Sequence, residues 1–414
     1  MDDDAVNWDE YLQIASRSDV GMRRNNNQDN LCISLSTSLE QYKKFGHLFV
    51  VCDGMGGHAA GELASQLAAD HLSHLHKRPA EESTDEQLRK NIERANAEIH
   101  RRGIANPEFR NMGTTCTCLL MTTAGAWAGH VGDSRLYRLR GSRLEQLTFD
   151  HSYTWEMKAA GINDASAEVF KNRIMRSLGP NPEVKVDIEG PFAIEAGDVF
   201  LLCSDGLTGP VTDRELAQIL AALPPAEAAE SLVNLANLRG GPDNITVIVA
   251  KYLRTIETGT SSLSGGRHSS SGLGMLTAWS ILGLFVILAV VLGLFSDWTA
   301  AVAPGIAALV SLIVAIWLTI RHSSRSEVSV GPQRGKAPYT LSSGVASIEV
   351  VDKLRDMVVE LVELAKREVW VLDWPSIDAQ IVEVKDLDAK KQFQPAIAGY
   401  CRLINHLLRR GKSR

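Results

Sequence analysis

Val50-Val51-Cys52-Asp53-Gly54-Met55-Gly56-Gly57-His58 closes a short apolar run with a carboxylate and three glycines in the next four positions. The run over 48–52 predicts a buried strand. The glycines make a turn that other groups can approach closely. Asp at a strand end, with a bare carbonyl beside it, suits a hard metal ion. Taken alone, Asp-Gly after a strand is more often a plain turn. What decides between the two is whether other strands downstream also end in carboxylates.

The chain has 414 residues, enough for two or three domains, and a net charge of −6 that argues against a general nucleic-acid binder. Six cysteines lie at 32, 52, 116, 118, 203 and 401. Cys116 and Cys118 fall on one strand face, and with no second pair to complete a zinc site they read as buried thiols. The start Met1-Asp2-Asp3-Asp4 has the features of neither a signal nor a transit peptide, so a reducing, cytoplasmic setting is expected for the N-terminal part of the chain.

Over 9–254, short apolar runs alternate with turn signals and a few helical stretches. Strands are predicted at 31–35, 48–52, 115–121, 126–131, 136–139, 199–203 and 245–251. Helices are predicted at 61–75, 84–102, 213–223 and 226–238, with an irregular excursion over 151–178. Clustered strands with paired helices give an α+β fold of antiparallel sheets covered by helices.

Residues 255–274 are Ser/Gly-rich and read as a flexible linker. The stretches 276–295 and 301–320 then carry no charge. At about 1.5 Å rise per residue each spans roughly 30 Å, a bilayer core, so 275–321 reads as a transmembrane helical hairpin. Arg254, Arg267, Arg321 and Arg325 flank it, while the connecting loop holds only Asp297. The positive-inside rule then places both flanking domains in the cytoplasm of a multi-pass membrane protein. Residues 322–344 read as a second linker, and 345–414 as a small, mostly helical cytoplasmic domain. Its amphipathic stripe of Val350, Leu354, Met357, Leu361 and Leu364 is expected to form a bundle or self-association module.

Four more carboxylates recur beside strands: Asp29, Asp133 in Gly132-Asp133-Ser134-Arg135, Asp205 in Ser204-Asp205-Gly206, and Asp243 in Gly241-Pro242-Asp243-Asn244. If the strands lie side by side, these groups converge at one sheet end and repel one another unless cations sit among them. Oxygen-only ligands favour Mg²⁺ or Mn²⁺. A two-metal carboxylate site suits phosphate ester hydrolysis, and Arg24 can grip phosphate oxygens through two parallel hydrogen bonds.

With these motifs in place, residues 10–254 resemble the metal-dependent protein phosphatase family, type 2C, in its bacterial serine/threonine form. The motifs run in family order: Arg24 with Asn27-Gln28-Asp29, Asp53-Gly54-Met55-Gly56-Gly57-His58, Gly113-Thr114-Thr115, Val131-Gly132-Asp133-Ser134-Arg135, Thr148-Phe149-Asp150-His151-Ser152, Ser204-Asp205-Gly206-Leu207 and Gly241-Pro242-Asp243-Asn244. The resemblance implies a four-layer α-β-β-α sandwich. It implies that Asp53, Asp205 and Asp243 hold one metal, and that Asp53 and the Gly54 carbonyl hold a second, which Asp29 reaches through water. Asp133 with Asp205 resembles the site of a third, weaker metal. Arg24 would be the phosphate clamp, and 151–178 would be the variable flap.

The implied activity is hydrolysis of phosphoserine and phosphothreonine on proteins, a serine/threonine kinase of the same cell being the partner expected by analogy. Two positions depart from the pattern. Gln28 stands where many members have Glu, and Met55 stands where animal members have a His, which leaves His58 or a metal-bound water as proton donor. The same residues also admit a pseudophosphatase that binds without hydrolysing, and the hairpin admits a sensor role beside plain anchoring.

Overall fold

A computed structural model describes residues 6–57, 59–78, 82–161, 173–254 and 335–411. The opening run lies in β3 (His47–Met55), and every residue from His47 to Cys52 is buried. Such a run shows no polar alternation because both faces are covered. Leu48, Val50 and Cys52 face helices, whereas Phe49 and Val51 face a second sheet.

The first sheet runs β2 (Asp29–Ser34), β3, β5 (Cys116–Thr122), β6 (Gly125–Val131), β9 (Asp187–Phe192), with the short β4 (Gly113–Thr114) also on β3. The second runs β1 (Leu12–Asp19), β11 (Ile245–Tyr252), β10 (Val199–Cys203), β7 (Arg135–Arg140), β8 (Arg143–Gln146), β12 (Thr340–Ser343). Every pairing is antiparallel. Phe49, Val51, Leu119 and Ala128 of one sheet meet Leu136, Phe200, Leu202 and Ile248 of the other in the inter-sheet core. Helices α2 (Ala59–His76) and α3 (Thr84–Ala105) cover the outer face of the first sheet. The outer face of the second sheet is covered by α6 (Asp213–Ala222) and α7 (Pro225–Leu238). Between these come the short helices α1 (Leu39–Phe45), α4 (Tyr153–Ala159) and α5 (Asp205–Thr208). The expected two antiparallel sheets with helices are therefore present.

The C-terminal residues depart from expectation. A separate small bundle is expected from 345, but 335–411 belong to the same compact unit as the sheets. Thr340–Ser343, inside the predicted linker 322–344, adds a strand to the edge of β8. The stripe of α8 (Ile348–Arg367) buries Val350, Leu354, Val358 and Leu361 in one core with α6, α7 and α10 (Phe393–Gly411). An apolar stripe reports that a helix needs a cover, not which chain supplies it. A short irregular stretch after α8 leads into α9 (Trp374–Ala389). Asn405 links the layers: its Nδ2 donates to Ser231 Oγ at 2.9 Å, and its Oδ1 accepts from Asn234 Nδ2 at 2.9 Å.

Among the described residues no helix is long and apolar enough to cross a membrane. The predicted hairpin, at 276–295 and 301–320, lies outside the described residues, as does the linker over 255–274.

Because Asn405→Ala leaves two buried polar partners unpaired, it should lower stability by about 1–3 kcal/mol. Urea unfolding of the full chain checks this, and an unchanged midpoint would contradict the integrated C-terminal layer.

Candidate active site

Strand register brings the carboxylates together. Asp29 and Asp53 are direct cross-strand partners on β2 and β3. Asp205 follows the end of β10, and Asp243 precedes β11, its sheet neighbour. Asp133 lies in the turn between β6 and β7. Two glycines permit this crowding. A Cβ on Gly54 would lie 2.2 Å from Gly61 O, and one on Gly206 would lie 1.9 Å from Asn244 O. No side chain fits either place.

Polar neighbours hold the acids in position. Ser204 Oγ donates to Asp29 Oδ2 at 2.7 Å, and Thr246 N donates to Ser204 Oγ at 2.9 Å. Asp53 N donates to Thr115 Oγ1 at 2.8 Å, while Thr115 N and Thr114 Oγ1 donate to Asp53 O at 2.8 and 2.9 Å. Asn244 accepts from Gln28 N at 2.9 Å and donates to Val20 O and Asn26 O at 2.9 and 3.0 Å, tying the Arg24 loop to Asp243. Gly132 N donates to His151 Nδ1 at 3.0 Å, and Gly132 O lies 2.9 Å from His130 Nε2, which fixes the residue before Asp133. Thr115, Ser204, Asn244 and His151 all sit in the family motifs, yet residue type alone gave them no role. Their work is second-hand, through the backbone or through another side chain.

The electrostatics follow from this arrangement. Burial pushes Asp29 up to about 7, with Asp205 and Asp243 adding to the rise and Ser204 opposing it. Asp53 is raised well above the usual range by burial, then by Asp29, Asp205, Asp133 and Asp243. Burial raises Asp133, as does Asp205, and Asp205 in turn is raised by burial and Asp243. Arg24 is half exposed, and its Nη2 pairs with Asp243 Oδ2 at 2.7 Å.

The acids fit a hard divalent cation in donor type. Asp29 Oδ1, Asp133 Oδ1 and Asp205 Oδ1 are buried and accept no hydrogen bond. Oxygens of this kind are what Mg²⁺ or Mn²⁺ takes. As they stand, no three His, Cys, Asp or Glu side chains among the described residues converge tightly enough to grip one ion. Arg24 and Ser204 each occupy one carboxylate oxygen of the set. Gln28 Nε2 donates to Gly56 O at 3.3 Å, and Met55 pairs with Gly113 on β4. His58 lies outside the described residues.

The family profile described as protein phosphatase 2C matches residues 23–238. This chain belongs to the protein phosphatase 2C family. It is 36% identical over 242 residues to the serine/threonine protein phosphatase PstP of Mycobacterium tuberculosis, covering 58% of this chain and 45% of PstP. The chain thus matches less than half the length of that relative. Protein phosphatase PhpP of Streptococcus pneumoniae is 36% identical over 244 residues, covering 57% of this chain and 96% of PhpP. A crystal structure of Mycobacterium tuberculosis PstP superposes with TM-score 0.52 at 35% identity, covering 59% of this chain and all of that one. Another, of the PstP catalytic domain in complex with two manganese ions, superposes with TM-score 0.50 at 35% identity, covering 59% of this chain and 99% of that one.

Each raised carboxylate keeps, in the folded state, a proton that the unfolded chain would release. Folding stability from such a group is present at low pH and lost as pH rises through the folded pKa. For Asp29 the window runs from 3.8 to about 7. The gain in thermal midpoint that Mn²⁺ gives over chelator should therefore be larger at about pH 7 than at about pH 5, because the ion favours the charged acids. A Mn²⁺ gain that shrinks as pH rises over this range would contradict the cluster.

Proposed function

We propose that this chain is a metal-dependent protein-serine/threonine phosphatase, hydrolysing phosphoserine and phosphothreonine monoesters on proteins. The observation that carries the proposal is the set of five carboxylates at one end of the paired sheets with the half-exposed Arg24 at its mouth. Asp53, Asp205 and Asp243, with the Gly54 carbonyl, Asp29 and Asp133, are the residues that would hold Mn²⁺ or Mg²⁺. Bound metal supplies hydroxide at neutral pH by lowering the pKa of water from 15.7 to about 7.

Arg24 spends one of its five N–H donors on Asp243, leaving others to orient the phosphate in the planar, two-bond fashion that a guanidinium favours. Asn244 holds the loop that carries Arg24 against the turn that carries Asp243, so the clamp and the acids keep one spacing. At Gly54 and Gly206 backbone packs directly on backbone, which holds the strand ends that carry Asp53 and Asp205 close to their neighbours.

The reading extends to the rest of the chain. The uncharged stretches 276–295 and 301–320 with their arginine flanks support a membrane hairpin, with the phosphatase fold on the cytoplasmic side. Phosphorylated proteins, among them a serine/threonine kinase of the same cell, are the substrates that analogy supports.

The full chain should release phosphate from a phosphothreonine peptide only with Mn²⁺ or Mg²⁺. Asp53→Ala and Asp205→Ala should bring turnover to background while the fold survives, and wild-type rates in either would refute the assignment. Arg24→Ala should act mainly on KM, raising it roughly tenfold or more, the worth of a charge-assisted hydrogen bond.

A further inference from the structure

The segment 335–343 clips the two sheets together beside the site. Buried Glu189 on β9 of the first sheet accepts from Ala337 N at 3.1 Å and from Tyr339 Oη at 2.5 Å. Immediately afterwards Thr340–Ser343 pairs with β8 of the second sheet. Tyr339 N donates to Gln146 O at 2.9 Å, and the Thr340 hydroxyl lies 3.2 Å from Gln146 Oε1 and 3.3 Å from Asp213 Oδ2, donating to one of them.

Both of those partners lead to the carboxylate cluster. Gln146 Nε2 donates to Asp150 Oδ1 at 2.7 Å. Asp150 pairs with Arg135 at 2.7 Å, and Asp213 lies 3.6 Å from the same guanidinium. Arg135 is two residues from Asp133. A second route is aromatic. The Tyr339 ring packs on Phe149 at 5.4 Å, Phe149 packs edge-on against Trp155 of α4 at 5.5 Å, and Arg135 lies over Trp155 at 5.5 Å. Helix α4 thus rests on Arg135 and Phe149, and Phe149 rests on Tyr339. The family match ends at residue 238, so this brace lies outside it.

We propose that residues 337–343 brace α4 over the Asp133 side of the site, with Tyr339 a positioning residue that sets how protein substrates, as distinct from small phosphate esters, are bound. The proposal rests on the phosphatase reading. A peptide whose phosphate enters the cluster extends well beyond it on several sides, and α4 packs through Trp155 on Arg135 at the Asp133 side. An aryl phosphate carries a single ring beyond its phosphate and offers α4 far less to hold. Loosening α4 should therefore weaken peptide binding selectively.

The test compares the full-length wild type, Tyr339→Ala and Tyr339→Phe in Mn²⁺ on a phosphothreonine peptide and on para-nitrophenyl phosphate, with amide hydrogen exchange read over 153–159. Tyr339→Ala should raise the peptide KM roughly three- to tenfold, the scale of a lost aromatic contact, leave aryl phosphate turnover within about twofold, and speed exchange in α4. Tyr339→Phe keeps the ring and should keep α4 exchange at the wild-type rate. Unchanged peptide KM, equal loss on both esters, or unchanged exchange in Tyr339→Ala would overturn the brace. Should Tyr339→Ala not fold, Tyr339→Leu keeps apolar bulk without the ring, and the same readings apply. Turnover of neither ester by the wild type would overturn the phosphatase reading instead, while exchange still reports the brace.

Discussion

Burial penalises the charges of Asp29, Asp53, Asp133 and Asp205 at one end of two packed sheets, and repulsion among the acids gathered there adds to the penalty. Much of the surrounding structure serves to hold them there regardless. Antiparallel register sets Asp29 against Asp53. Neighbouring strands β10 and β11 then deliver Asp205 and Asp243 to the same end. Ser204 donates to the Asp29 carboxylate, while Thr115 and Asn244 fix the backbone at Asp53 and Gln28 without neutralising the charges. An arrangement so costly without a cation is the mark of a functional site. It fits a family whose solved relatives include one in complex with two manganese ions.

The acids were legible in the sequence because each is a lone Asp abutting an apolar run, and the runs were legible because double-sided burial removes polar residues from β3, β10 and β11. Where burial is one-sided the signal fades. Leu12–Asp19 carries polar residues because it is an edge strand, and Asp187–Phe192 contains a Gly-Pro step that reads as a turn. Helix Trp374–Ala389 buries only Ile377 and Val384, too few to show a period. Arg24 was read from its motif as a phosphate ligand, but its pairing with Asp243 comes from a contact across 219 residues that spacing does not report.

The C-terminal layer is the part least visible in advance. Its helices show their apolar stripes plainly, but the cover is α6 and α7 of the same chain, joined through Asn234, Ser231 and Asn405. Its strand is four residues long at a sheet edge, and pairing comes from the partner β8 rather than from its own pattern. The consequence is physical continuity from residue 335 onward to the rim of the carboxylate cluster, through Glu189, Gln146 and Asp213.

Anomalous diffraction from crystals grown in Mn²⁺ tests the central claim most directly. Manganese peaks should appear within coordinating reach of the Asp53 and Asp205 carboxylates, with Asp243 turned from Arg24 toward them. Ordered carboxylates with no anomalous peak at saturating Mn²⁺ would contradict the claim that this cluster is a metal centre.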